Sequence, residues 1–193
     1  MKKQHRTKGV HSRPSRKMNP VFLVFCEGDT EDAYINVLKR KRLSVKFISY
    51  VTRLSISPEI FKRVIESKKI SKDDKIKTFL MYDLDRKDTI EKLAACKGFI
   101  NISSNPTIEL WFLLHSCEQN AAISTDNCTE KLKKSSQEWT HYKKGTFTEK
   151  QIQLLLENCD VASARAKKLP EGENPSSTVF RLIEAMDEVG KSS

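Results

Sequence analysis

Apolar and polar positions follow two rhythms along this chain. Val21-Phe22-Leu23-Val24-Phe25-Cys26 is an unbroken apolar run that halts at Gly28. It is short, β-branched and aromatic, which predicts a strand buried on both faces, as in a parallel sheet. Ala33, Tyr34, Val37 and Leu38 then recur at helical spacing, with Thr30 placed to cap the helix and Lys39–Arg42 to close it in keeping with the dipole. Val45–Val51 reads as a second strand. Pro58 opens a helix whose apolar face is Ile60, Phe61, Val64 and Ile65. Lys77–Tyr82 is a third strand, ending in Asp83-Leu84-Asp85. A helix over about Thr89–Cys96 and a short strand at Phe99–Ile102 follow.

Asn105-Pro106 reads as a helix start running through His115, with the Asn as cap and the Pro in the first turn. Strands alternating with helices predict an α/β fold with a mainly parallel central sheet flanked by helices. The last third changes character. Residues 124–138 and 148–167 look helical around a loop-like stretch, Trp139–Gly145, and Asn174-Pro175 opens a last helix through Met186. The expected layout is a disordered basic arm at 1–18, an α/β core at 19–122 and a helical part packed on it at 123–193.

Composition narrows the class. In 193 residues, 38% are hydrophobic and 31% charged, enough apolar content for one buried core. No apolar run approaches the ~20 residues that span a bilayer. The opening stretch is basic and has no apolar segment of signal-peptide type, so a cytoplasmic protein with no membrane association is expected. Five cysteines, with no C-x-x-C pair, point to neither a disulfide framework nor a zinc knuckle. The four histidines show no paired metal-ligand spacing.

Charge is uneven. The net is +10, yet residues 1–20 carry seven basic residues and no acid, and the remainder holds 28 basic against 25 acidic. Arg13, Arg16 and Lys17 belong to that arm. An arm of this kind contacts phosphates through counterion release, or merely keeps the protein soluble. Lys143 and Lys144 lie in the loop-like stretch beside Tyr142. Their alternatives are a solvated charge run or phosphate contact, with Tyr142 or Trp139 stacking on a base.

The candidate chemistry sits at strand ends. In parallel α/β sheets, ligands bind beyond the carboxyl ends of the strands. The first strand delivers Glu27, followed by Gly28, and about 55 residues later the third delivers Asp83 and Asp85. Residues two apart on extended chain point the same way, so Asp83 and Asp85 converge while Leu84 turns away. Three carboxylates at one edge repel unless a cation joins them, and Mg2+ (with Mn2+ as a substitute) suits hard oxygen ligands. Arg86 follows directly and is placed to neutralise a phosphate. A lone Glu or a lone Asp-x-Asp is more often a turn or a cap; the combination is what carries weight. Haloacid-dehalogenase phosphatases place their Asp-x-Asp after the first strand, unlike here. No Gly-x-x-x-x-Gly-Lys-[Ser/Thr] loop occurs, which excludes a P-loop ATPase.

Strand–Glu-Gly–helix followed by strand–Asp-x-Asp resembles the Toprim domain of topoisomerases, primases and overcoming-lysogenization-defect nucleases. Phe25–Glu31, Tyr82–Asp85, Ser104–His115, Tyr142-Lys143-Lys144 and Asn174–Val179 together resemble the RloB family over about residues 20–186. The resemblance implies a Toprim-like domain with helical additions and a link to abortive-infection defence against phage, often beside an ATPase. It implies Glu27 as general acid/base and Asp83 and Asp85 as the metal-binding pair. It also makes Glu109 a candidate fourth ligand, with Gly28, Asn105 and His115 as further motif residues. Read as residues, Glu109 serves equally to complement the dipole of its helix, and His115 is as readily structural.

These readings converge on a Mg2+-dependent nuclease acting on RNA, such as tRNA, or on DNA. The alternative is a non-catalytic nucleic-acid-binding or regulatory module of an ATPase-containing complex. A phosphatase or nucleotidyl transferase on small nucleotides is a third reading, for which the basic arm would have no use. A homo-oligomer is compatible with all three.

Overall fold

The computed structural model describes residues 20–41, 45–68 and 75–191. The basic arm, with Arg13, Arg16 and Lys17, lies outside the described residues, as does Arg42.

Every residue of strand β1, Val21–Cys26, is buried, as an apolar run without alternation requires. Helix α1 (Asp29–Leu38) leads to β2 (Lys46–Val51), α2 (Pro58–Ser67), β3 (Ile76–Met81), α3 (Lys87–Ala95) and β4 (Ile100–Asn101). These strands form one parallel sheet in the order β2-β1-β3-β4. The pairing is residue for residue, so Cys26 lies level with both Val51 and Met81. The fold is thus the expected α/β class with a central parallel sheet flanked by helices, consistent with a Toprim-like fold.

The alternating side chains of β1 sort the helices into two layers. Phe22, Val24 and Cys26 face one core with Tyr34, Ile35 and Leu38 of α1 and the helices of the last third. Leu23 and Phe25 face the other with Phe61 of α2 and Leu93 of α3. Phe25 and Phe61 pack with ring centroids 4.4 Å apart. Ser57 caps α2 by accepting the Ile60 N–H at 3.3 Å, with Pro58 in the first turn as expected.

The two Asn-Pro dipeptides depart from expectation. Each bond is cis, and neither opens a helix directly. Ser104–Asn105 forms β5, which pairs antiparallel with β6, Ser176–Ser177. Helix α4 (Ile108–Leu114) starts after an extended Thr107, and α8 (Phe180–Lys191) starts after Thr178. Asn105 is therefore not a helix cap: its backbone is in the β5–β6 ladder and its side-chain amide donates to the Gly172 carbonyl at 3.1 Å. Thr178 completes the lock by exchanging backbone and hydroxyl hydrogen bonds with Ser103.

The remaining helices are also shorter than the periodicity predicts. Helix α5 (Thr125–Ser135) ends before an extended Ser136, and a 3-10 turn at Gln137–Trp139 drops Trp139 into the core. Residues 148–167 divide into α6 (Glu149–Glu157) and α7 (Cys159–Ala166) at Asn158, whose amide donates to the His115 carbonyl at 3.1 Å. Trp139 is fully buried and stacks on Phe112 with centroids 6.0 Å apart. Tyr142 is 4% exposed. Base stacking by Trp139 or Tyr142 is therefore corrected: both rings belong to the core. No helix among the described residues is long and apolar enough to cross a membrane.

Trp139→Ala should lower the unfolding free energy by about 3–5 kcal/mol, the usual cost of emptying a large aromatic site. Urea denaturation will show a lower midpoint at unchanged slope. A loss under about 1 kcal/mol would mean that the indole is not in the core.

Candidate functional site

In a 2-1-3-4 parallel sheet the connections leave β1 toward β2 on one side and reach β3 on the other. The crevice beyond the carboxyl ends of β1 and β3 is the switch point at which such sheets bind ligands. Equal register brings the residues after Cys26 and Met81 to that crevice. The Glu27 N–H donates to the Met81 carbonyl at 3.0 Å, and the Asp83 N–H donates back to Glu27 Oε2 at 3.0 Å. Asp83 also bridges to Ser104, and the Leu84 N–H donates to the Ser104 carbonyl at 2.8 Å, which fixes the chain between the two aspartates.

Gly28 precedes α1, and its N–H donates to Glu31 Oε2 at 2.9 Å, so Glu31 caps the helix from its third position. A Cβ on Gly28 would lie 3.2 Å from that oxygen, so a larger residue there would press on the Glu31 carboxylate. The expected cap, Thr30, serves elsewhere: its hydroxyl accepts the Gly145 N–H at 3.0 Å. Glu31 is 4% exposed. Sequence reasoning missed it as a site residue, although an acid three positions beyond the glycine that opens a helix is a legible signal.

The edge is crowded with negative charge. Burial pushes the Glu27 carboxyl above the ordinary range, against the Asp83 N–H bond, and Asp85 adds to the rise. Burial also lifts Glu31, to about 7, with Glu27 and Glu109 contributing. Asp83 is held well above the carboxylate range by burial, then by Glu31, Glu27 and Glu109. Asp85 is exposed at the mouth. A cation meets the group in Lys144, whose Nζ lies 3.4 Å from Glu109 Oε1. Burial lowers its pKa, but Glu109, Asp83 and Glu31 more than offset this and leave the ammonium above the usual lysine range.

The other expected site residues are placed as follows. Glu109 is completely buried; Tyr142 donates to Oε1 at 3.0 Å, and the Thr107 hydroxyl donates to Oε2. Arg86 is turned onto Asp88 by two hydrogen bonds of 3.1 and 3.2 Å, though its charge still reaches Glu27. Lys143 is exposed and bridges through its backbone to Thr146. His115 is buried, with Nδ1 2.8 Å from the Trp111 carbonyl oxygen and the ring edge-on to Trp111. Burial lowers its pKa to about 4, so it is neutral at physiological pH and serves packing.

Among the described residues, no three Asp, Glu, His or Cys side chains are grouped so as to hold one metal ion. Mg2+ usually takes one or two carboxylates and completes its shell with water and phosphate oxygens. Glu27 and Asp83, joined at the crevice through the Asp83 N–H, are two carboxylates of that kind, and Asp85 is exposed two residues on.

The model of the RloB-like protein family matches residues 22–186, and the chain belongs to that family. No curated protein matches it.

Raised carboxylate pKa values cost stability once the protons leave. Above about pH 8 Glu31 is ionised in both folded and unfolded chains, and the penalty is complete. As pH falls through about 7 toward 4.5, the folded state takes up its proton first and the penalty fades. Glu31→Gln keeps the cap acceptor and removes the charge. It should stabilise the metal-free protein by on the order of 3 kcal/mol at about pH 8 and by almost nothing at about pH 4.5. Thermal melts across that range check this; a gain independent of pH would refute the charge argument.

Proposed function

We propose that this RloB-like chain is a Mg2+-dependent phosphodiesterase that cleaves nucleic acid, RNA such as tRNA or DNA. The observation that carries the reading is the joining of Glu27 to Asp83 at the switch point of the parallel sheet, within a set of carboxylates that burial and mutual repulsion hold above their ordinary pKa. Glu27 and Asp83 are the residues that would hold the ion, with water and phosphate oxygens completing its shell, and Asp85, exposed two residues on, would act through those waters. When bound, Mg2+ supplies activation of water and neutralisation of charge on the phosphoryl oxygens.

The chain's own groups then have distinct tasks. Glu27, with its raised pKa and its Asp83 hydrogen bond, is suited to hold a proton near neutral pH and pass it to or from the reacting oxygens. Glu31, at about 7, is a second proton holder in the first turn of α1. Lys144 offsets the negative field that would otherwise repel a phosphate backbone. The arm carrying Arg13, Arg16 and Lys17 adds sequence-independent attraction.

Family membership supports the role of an effector in anti-phage defence by abortive infection, working in the cytoplasm. An ATPase encoded nearby is the partner that the family resemblance implies; any ATP-dependent sensing of the P-loop type would have to come from it, since the sequence contains no Gly-x-x-x-x-Gly-Lys-[Ser/Thr] loop. Among the described residues the acids form no three-ligand cage, which favours a second reading, a nucleic-acid-binding or regulatory module without catalysis.

One experiment separates the two. Purified protein is incubated with tRNA, single-stranded RNA and plasmid DNA, with Mg2+, Mn2+ or EDTA. Cleavage should require the divalent ion and should fall at least a hundredfold in Glu27→Gln, Asp83→Asn and Asp85→Asn, while none of the three melts at a lower temperature without metal. Binding without cleavage under every condition would establish the second reading. Deleting residues 1–18 should weaken binding and flatten its salt dependence, by about 0.7 in logarithmic slope for each phosphate that the arm neutralises on a single strand. An unchanged slope would make the arm a solubility tail.

A further inference from the structure

The placement of Glu109 separates it from the acids at the crevice. All seven residues of α4 are buried, and the Glu109 side chain is 0% exposed. Its oxygens already receive Tyr142 Oη at 3.0 Å and the Thr107 hydroxyl, and face Lys144 Nζ at 3.4 Å. A carboxylate enclosed in this way is poorly placed to coordinate an ion at the sheet edge. It is well placed to hold the segment that carries Lys144.

That segment is fixed from two sides. Tyr142, its buried anchor, packs against Phe112 and Trp139 and donates to Glu109 from within the core. Lys143 and Thr146 bridge across a tight turn in which Gly145 adopts φ +77°, and the Gly145 N–H donates to Thr30 Oγ1 at 3.0 Å on α1. A Cβ at Gly145 would come within 3.5 Å of Asp29 Cβ, so the turn lies directly against the helix start that follows Glu27 and Gly28. Lys144 stands between these two tethers. Its side chain remains 59% exposed, while its charge interacts with Asp83, Glu31 and Glu27.

We propose that Glu109 is a positioning residue: it pins Lys144 over the mouth of the crevice, where the ammonium contacts a phosphate of the bound nucleic acid. This inference rests on the phosphodiester reading above and assigns Glu109 a task other than metal coordination. A half-exposed lysine would normally sample many rotamers. A buried anion on one side and a clamped backbone on the other remove that freedom before substrate arrives, which lowers the ordering cost of binding. Lys143, its neighbour, faces solvent instead.

The test measures binding of a fluorescent single-stranded oligonucleotide by the full chain in EDTA over a range of salt, so that no chemistry intervenes. Lys144→Met should weaken binding and reduce the logarithmic salt slope by about 0.7, the increment for one neutralised phosphate. Glu109→Gln keeps one acceptor oxygen, turns the other position into an amide NH2 from which the second hydroxyl can accept, and removes the anion; it should lose the same increment with Lys144 still present. The double variant should be no worse than either single one. Lys144→Arg should hold the wild-type slope when Glu109 is present and lose it with Glu109→Gln; this pair carries the test if the methionine variant does not fold. A wild-type slope in Glu109→Gln, or losses that add in the double variant, would overturn the proposal. Cleavage with unchanged slopes would overturn this inference alone. Slope losses without cleavage would overturn the nuclease reading alone.

Discussion

The hydrogen bond from the Asp83 N–H to the Glu27 carboxylate is the interaction on which the candidate site depends. It exists because β1 and β3 are adjacent, parallel and in equal register, so the first residues beyond each strand arrive at the same level. That register rests on ordinary core physics. β1 is buried on both faces, and shifting it by one residue would exchange Phe22, Val24 and Cys26 with Leu23 and Phe25 between two differently shaped cores. The apolar packing of the sheet thus fixes the positions of polar groups that contribute nothing to it.

Those polar groups are held against their own preference. Glu27, Glu31 and Asp83 would each be more comfortable protonated or apart, and burial and mutual repulsion raise all three. The fold tolerates the strain because the surrounding backbone is tied at many points: β5 to β6, Thr178 to Ser103, and Gly145 to Thr30. Charge crowding of this kind stabilises nothing in the free protein. Under the proposed function, a cation and a phosphate in the crevice would make it favourable, a common trade between stability and activity.

Local pattern in the sequence shows much of this and misses what is non-local. The apolar run of β1, the Pro58 helix start and the Asp-x-Asp after β3 are short-range signals, and each falls within a residue or two of its observed place. The Asn-Pro pairs mislead because a Pro after an Asn is ordinarily a helix-start signal. Here the residues beside them, Ser104–Asn105 before one Pro and Ser176–Ser177 after the other, are drawn into a two-stranded ladder across some seventy residues. Asn158 divides an apparently continuous helix because its side chain reaches the His115 carbonyl, a hydrogen bond invisible to periodicity. Trp139 and Tyr142 look like loop aromatics until Phe112 and Phe147 are seen to enclose them. Glu31 carries a legible capping signal, but its proximity to Asp83 follows only from the folded sheet edge.

The central claim is that the carboxylates at the switch point of the sheet bind a divalent ion. Electron paramagnetic resonance of free Mn2+, titrated into the protein with and without a bound oligonucleotide, measures this directly. The account predicts saturable binding of Mn2+ that tightens with the oligonucleotide, is displaced by Mg2+, and weakens at least tenfold in both Glu27→Gln and Asp83→Asn. Mn2+ binding that is absent, or that is the same in both variants as in the wild type, would contradict it.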